Sequence, residues 1–266
     1  MLCPRTIALT LFLVFLSGFV YGQPRENIFA NLRGERLANA LRANYKPRNV
    51  LSYAQAKDIL YSEIDNKGDS VYCVYSGYRL YLAPRQDPSK YLYQGGSPDG
   101  INCEHLWPRS KGAKEGNAGS DMHHLFPTRT EVNEARRNYP LGEVDDRQTE
   151  RWFGPETARN SLPPEREIDT YSELGDGLFE PREDFKGDAA RALFYFYTMY
   201  REEAMQADPL FFIIQRENLC HWHFQDPVDE EEYERSQRIA RYQSNRPNHF
   251  VADPSLAGRM YCSGKE

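Results

Sequence analysis

The chain of 266 residues carries no excess of positive charge: 33 Lys and Arg stand against 39 Asp and Glu, a formal net charge of −6. Nucleic-acid binders as a class present a basic footprint, so this balance argues against broad electrostatic capture of a polyanion. Signatures of several enzyme classes are also missing. There is no Gly-x-Ser-x-Gly elbow, no Gly-rich phosphate loop ending in Lys-Ser/Thr, no His-Glu-x-x-His helix and no Cys-x-x-Cys pair, which excludes the familiar hydrolase, nucleotide-binding and zinc frameworks. No internal repeat or low-complexity run divides the sequence, so one domain over 23–266 is expected.

Long apolar runs are missing too, with one exception at the start. Arg5, the apolar stretch Ile7 to Leu16 and the small residue Gly22 after Val20-Tyr21 have the layout of a signal peptide over 1–22. The stretch is short for a membrane span. The expected mature protein starts near Gln23, is secreted to an extracellular or periplasmic space, is not membrane-bound and acts as a monomer. Loss of Arg5 takes its charge from −6 to −7. Cysteine is scarce, five in all. Cys3 leaves with the signal, and Cys73, Cys103, Cys220 and Cys262 form an even set that an oxidising compartment would join into two disulfides, in a pairing the spacing does not choose.

What is present reads as α+β, a mixture of helices and short strands. Ala54 to Ile64 has helical apolar spacing, Asn66 to Asp69 is a turn, and Ser70 to Ser76 is β-branched and aromatic like a strand. Residues 84–100 read as loop. Asn102 to Trp107 reads as a strand, 111–120 as loop, and Met122 to Phe126 as a strand ended by Pro127. A helix over Arg129 to Asn138 follows, with Thr128 and Glu131 at capping-box spacing. Residues 143–184 show no period. Asp188 is placed to cap a long helix, Ala189 to Ala204, and Asp229 a second, Glu230 to Gln243. The tail after Asn245 reads as loop, tied down by Cys262.

Three of the six histidines, His105, His123 and His124, fall inside the strand, loop, strand, helix segment over about 102–139. Histidine is the side chain whose ordinary pKa suits a base at neutral pH. A hard cation such as Mg²⁺ takes oxygen ligands and needs only one or two from protein. Glu104 and the amide of Asn133 are such a pair. Arginines are the phosphate grips, here Arg109, Arg136 and Arg137, with Arg136 equally suited to a carboxylate. His123 and His124 fit hydrogen-bonding roles within the segment, with Asp121 a possible partner. Asn138 rivals Asn133 as ligand. His221 and His223 flank Trp222 and read as structural. Neighbours on a regular strand face opposite ways, so Glu104 and His105 share a site only if the strand ends or bends there; Trp107-Pro108 permits that.

The stretches Glu104-His105-Leu106-Trp107-Pro108-Arg109-Ser110, Ser120-Asp121-Met122-His123-His124-Leu125-Phe126-Pro127-Thr128, Val132-Asn133, Arg136, Asn138-Tyr139-Pro140 and Gly142-Glu143-Val144 resemble the endonuclease I family. These are secreted bacterial DNases and RNases of the ββα-metal, or His-Me finger, superfamily. Weaker likeness extends upstream to Val71–Ser76 and downstream to Lys186–Tyr195, Trp222, Asp226-Pro227-Val228, Gln243 and Asn245-Arg246. The resemblance implies a metal-dependent endonuclease with His105 as general base, Glu104 and Asn133 on Mg²⁺ (or Ca²⁺ or Mn²⁺), water attacking phosphorus, and products ending in 5′-phosphate. No 2′-hydroxyl is needed, so DNA and RNA are both expected substrates. Two departures stand out. The short Lys111–Gly119 loop lacks the insertion that some members of the family carry, with a phosphate-stabilising Arg. Asn245-Arg246-Pro247-Asn248-His249-Phe250 also differs from the family's Asn-Arg-Asn-Pro-Phe. The rival readings are a zinc-stabilised module using Cys103, His105, His123 and His124, and a catalytically inactive secreted nucleic-acid-binding protein.

Overall fold

The centre of the protein is a helix in which every residue but one is buried, and the other elements are laid around it. They are introduced here in chain order from a computed structural model that describes residues 26–262 except residue 157; the expected signal peptide and Cys3 lie outside the described residues. Helix α1 (Gly34–Tyr45) buries Leu37, Ala38 and Leu41. Helix α2 (Tyr53–Ile59) starts from a complete capping box between Ser52 and Gln55 and continues into a π turn, Leu60–Ile64. Gly68 and Asp69, both at positive φ, turn the chain into the hairpin β1 (Ser70–Tyr72) and β2 (Arg79–Tyr81). The first strand stops at Tyr72, short of the expected Ser76, because the chain folds back so that the Gly77 amide bonds the Cys73 carbonyl. Inside the expected 84–100 loop sits α3 (Pro88–Tyr93), with Asp87 as cap and Pro88 at its first position.

The expected strand, loop, strand and helix then follow: β3 (Ile101–His105), α4 (Gly116–Ser120) within the connecting loop, β4 (Leu125–Arg129) and α5 (Thr130–Arg136). The two strands are antiparallel, with Glu104 opposite Phe126 and His105 opposite Leu125. Pro127 lies within β4 instead of ending it. The Thr128–Glu131 capping box does not form. Thr128 is still in the strand, its hydroxyl buried without a partner, and Glu131 faces Arg151.

The patternless stretch 143–184 holds an antiparallel sheet of β5 (Arg151–Phe153), β6 (Ala158–Arg159), β7 (Ser172–Gly175) and β8 (Leu178–Glu180), ordered β6-β5-β7-β8. Strands of two to four residues are too short to display a period of two. The central helix α6 (Lys186–Met199) comes next, buried throughout except at Asp188. It begins two residues before Asp188, which therefore pairs with Arg191 at 3.0 Å and caps nothing. It breaks at Tyr200 and resumes as α7 (Arg201–Ala207).

Helix α8 (Phe211–Gln225) packs along α6. Its apolar residues occur all round, so it carries no amphipathic signal. Helix α9 (Glu230–Ala240) is capped by Asp229 as expected. The tail is helical where loop was expected: α10 (His249–Ala252), capped by the Asn248 side chain, and α11 (Ser255–Met260). The architecture is α+β around one hydrophobic core.

Cys220 and Cys262 form a disulfide that ties the tail to α8. The expected second disulfide is absent among the described residues, since Cys73 and Cys103 are buried free thiols. Strand β4 stands between them: Pro127 faces Cys103 across the ladder, while its carbonyl turns the other way to accept from the Val74 amide.

Candidate active site

Strand β3 ends at His105, which frees the chain from strict alternation and lets Glu104 and His105 line one groove of about 440 Å³. Asn133 on α5, Arg109 and Ser110 after β3, and Arg137 and Asn138 after α5 line the same groove. Arg137 enters it because the chain leaves α5 with Arg137 at φ 51°, a left-handed conformation that ends the helix abruptly. Asn138 clamps the two halves by donating from Nδ2 to Ser110 Oγ at 3.2 Å.

Glu104 is 3% exposed. Its Oε1 accepts from the Tyr75 hydroxyl at 3.1 Å and lies 3.2 Å from Arg136 Nε. Among the described residues, no hydrogen bond reaches Oε2. Burial pushes this carboxyl up to about 7, against the pull of Arg136 and the Tyr75 bond. Arg136 is wholly buried; besides its ion pair with Glu104 it donates to the Leu106 and Arg137 carbonyls at 2.8 and 3.1 Å. Of the two roles open to it, the structure places it on the carboxylate beneath the groove and not at the groove surface.

His105 is 6% exposed. Its Nε2 lies 3.1 Å from the Gly119 carbonyl oxygen; a carbonyl only accepts, so Nε2 carries the proton and Nδ1 keeps the lone pair. The source of this bond is local. Helix α4 spans only Gly116–Ser120, and the last carbonyls of a helix have no partner within it. The Gly119 carbonyl takes His105, and the Ala118 carbonyl takes Nε2–H of His124 at 2.8 Å. Burial, and then the neighbouring His124, lower His105 to about 3. The Tyr53 ring packs 5.2 Å from the imidazole.

The remaining residues singled out in the sequence hold the finger and not the groove. Asp121 is fully buried. It accepts from Tyr195 and Tyr200 on or beside α6 at 2.8 and 2.7 Å, from Gln243 at 2.7 Å and from the His123 backbone amide at 3.0 Å. Its partner in His123 is thus the main chain; the His123 ring donates to the Arg246 carbonyl at 2.9 Å. Trp107 stacks on Phe196 of α6 at 4.8 Å. His223 bonds the Pro254 carbonyl at 3.1 Å, in keeping with a structural role. Among the described residues no three His, Cys, Asp or Glu converge as metal ligands, and the His123 and His124 rings face the Arg246 and Ala118 carbonyls.

Tyr53, Tyr75, Asn102 and the Gly119 carbonyl escaped the sequence reading. Tyr53 follows the Ser52-x-x-Gln55 cap, a visible signal for where α2 begins but not for what its first residue faces. A main-chain carbonyl leaves no trace in sequence.

Strand, loop, strand and helix around His105, Glu104 and Asn133 make this a finger of the ββα nuclease type. The profile of the Endonuclease I family matches residues 31–255. The chain is 30% identical to an extracellular ribonuclease of Bacillus subtilis (strain 168), over 86% of this chain and 75% of that protein. It is 29% identical to an extracellular ribonuclease of Bacillus amyloliquefaciens, over 86% and 74%. The chain belongs to the endonuclease I family.

Proposed function

We propose that the protein is a secreted endonuclease that hydrolyses phosphodiester bonds of RNA and DNA with little sequence specificity. In this reading His105 activates water, and a divalent cation, Mg²⁺ foremost, sits on Glu104 and Asn133. The observation that carries it is the bond from His105 Nε2–H to the Gly119 carbonyl, which leaves Nδ1 as the free base on a ring lining the groove.

Burial keeps the imidazole neutral, hence in its base form, throughout the neutral range. A phosphate entering the groove brings negative charge, which favours the imidazolium and so raises the basicity of Nδ1 when substrate is bound. Water held at Nδ1 loses its proton to the ring as it attacks phosphorus, and the 3′ oxygen departs, leaving a 5′-phosphate. Nothing in this step uses a 2′-hydroxyl. Arg109 and Arg137, both lining the groove, are placed to hold phosphate oxygens.

The donor set suits a hard cation. Glu104 keeps Oε2 free of hydrogen bonds from the described residues, while Oε1 takes the Tyr75 hydroxyl and faces Arg136. The Asn133 amide, whose Nδ2 is buried without a partner, stands in the same groove. When bound, the cation neutralises charge developing on the phosphoryl and leaving oxygens.

Secretion is supported by the signal-like residues 1–22 and by the extracellular relatives. No helix among the described residues is long and apolar enough to cross a membrane. The test is digestion of plasmid DNA and of RNA by the mature protein, with Mg²⁺ or with EDTA, for wild type and His105→Ala. Cleavage that needs Mg²⁺ and His105 is expected. Full cleavage in EDTA, or by His105→Ala, overturns the mechanism; binding without cleavage favours an inactive nucleic-acid-binding protein.

A further inference from the structure

The wall of the groove beside His105 gathers two cations on one aromatic ring. Tyr53 is the first residue of α2, fixed there by the Ser52–Gln55 capping box. Its ring packs on His105. The Arg109 guanidinium lies 5.8 Å from the ring centre. Lys57, one helical turn along, brings Nζ to 5.0 Å. The charge of Lys57 is also felt by the thiol of Cys103, which lines the groove.

These cations are uncommitted. Among the described residues, no carboxylate pairs with Lys57 or Arg109. Other basic residues around the groove are spent, Lys90 on Asp87, Lys111 on Asp208 and Arg129 on Asp99, whereas Arg137 lines the groove itself. In a protein of net charge −6, unpaired cations collected at the mouth of the groove have an evident use.

We propose that Lys57 and Arg109, gathered on the Tyr53 ring, bind the substrate phosphate next to the one being cleaved, with Tyr53 as the positioning residue for both cations and for the His105 imidazole. This rests on the nuclease reading above. Lys57 contributes to binding alone, whereas Tyr53 couples binding to the orientation of the base.

The test is steady-state cleavage of a single-stranded oligoribonucleotide with Mg²⁺ over a range of salt concentrations. It compares wild type, Lys57→Gln, Tyr53→Phe, Tyr53→Leu and, as a control, Lys90→Gln on the exposed face of α3; thermal melts check each fold. Lys57→Gln is expected to raise KM about fivefold with kcat unchanged, the effect of one exposed charged contact. It is also expected to flatten the slope of log(kcat/KM) against log salt by about 0.7, the value of one phosphate contact on a single strand.

Tyr53→Phe keeps the ring and stays near wild type. Tyr53→Leu raises KM and lowers kcat about tenfold, as misplacing a reacting group does. The proposal is overturned if Lys57→Gln matches Lys90→Gln in both KM and salt slope, or if Tyr53→Leu matches Tyr53→Phe. Binding of the same oligonucleotide to His105→Ala protein, with and without Lys57→Gln, reads the contact without turnover. A wild type that cleaves nothing therefore sinks the nuclease reading, while this binding comparison still decides the inference.

Discussion

Arg136 Nε stands 3.2 Å from Glu104 Oε1, with the two side chains 0% and 3% exposed. Burial pushes that carboxyl up to about 7, and the guanidinium is the main pull in the other direction. Removing the arginine leaves a buried charge without a partner. Arg136→Met is expected to lower stability by about 3–5 kcal/mol in urea unfolding and to abolish cleavage. A loss under about 1 kcal/mol would mean that the carboxyl is already neutral.

Asp121 receives four hydrogen bonds from the Tyr195 and Tyr200 hydroxyls, the Gln243 amide and the His123 backbone. It binds the connecting loop of the finger to α6 and to the segment after α9. Asp121→Ala strands all four donors in the interior and is expected to cost about 4 kcal/mol, against about 1 kcal/mol for Tyr200→Phe. Denaturant midpoints of the two variants check the ratio; equal losses would refute the hub.

Cys220 and Cys262 close a loop with a sequence separation of 42. Chain entropy puts the stabilisation from closing such a loop at about 4 kcal/mol. The double variant Cys220→Ser, Cys262→Ser should lose an amount of that order in urea unfolding. Thiol titration of unfolded, unreduced mature protein should count two sulfhydryls, those of Cys73 and Cys103. A count of zero would restore the two-disulfide expectation.

His249 sets a pH dependence whose sign is fixed. Its ring is fully buried, neither nitrogen has a partner, and burial lowers its pKa to about 3. Between the ordinary histidine value of about 6.5 and 3, the unfolded chain takes up a proton that the folded protein refuses. Stability is complete above pH 6.5 and falls as the pH drops through that window. His223, lowered to about 3, acts in the same direction. His249→Phe is expected to remove on the order of 2 kcal/mol of the loss between pH 7 and pH 4. Urea unfolding across that range measures it, and parallel curves for the two proteins would contradict the assignment.

The finger was legible because its elements are local and its chemistry rests on side chains. His105, Glu104 and Asn133 sit in the groove where strand, loop, strand and helix were expected. Elsewhere legibility failed for separate reasons. The sheet over 151–180 is made of strands too short to show alternation. Helix α8 buries Phe211, Leu219 and Trp222 while leaving Ile213 and Ile214 exposed, so its pattern has no single face. Asp188 and Thr128 have the right residue types for caps, yet tertiary contacts start their helices elsewhere. The disulfides turned on which side of β4 each cysteine falls, a fact of pairing that spacing does not carry.

The carbonyl of Gly119 holds the proton of His105 on Nε2, and a carbonyl is common to all residue types. No substitution at position 119 can delete that bond; it can only be displaced by rerouting the loop. A Cβ at Gly119 would come within 3.0 Å of the Lys114 carbonyl oxygen, and one at Gly112 within 2.7 Å of that of Glu203. The loop's path is therefore set by two places where main chain meets main chain. The placement of the proton on His105 is thus set by the length and course of the segment between β3 and β4, and an engineer wishing to move that proton without touching the ring would lengthen the loop by a single residue.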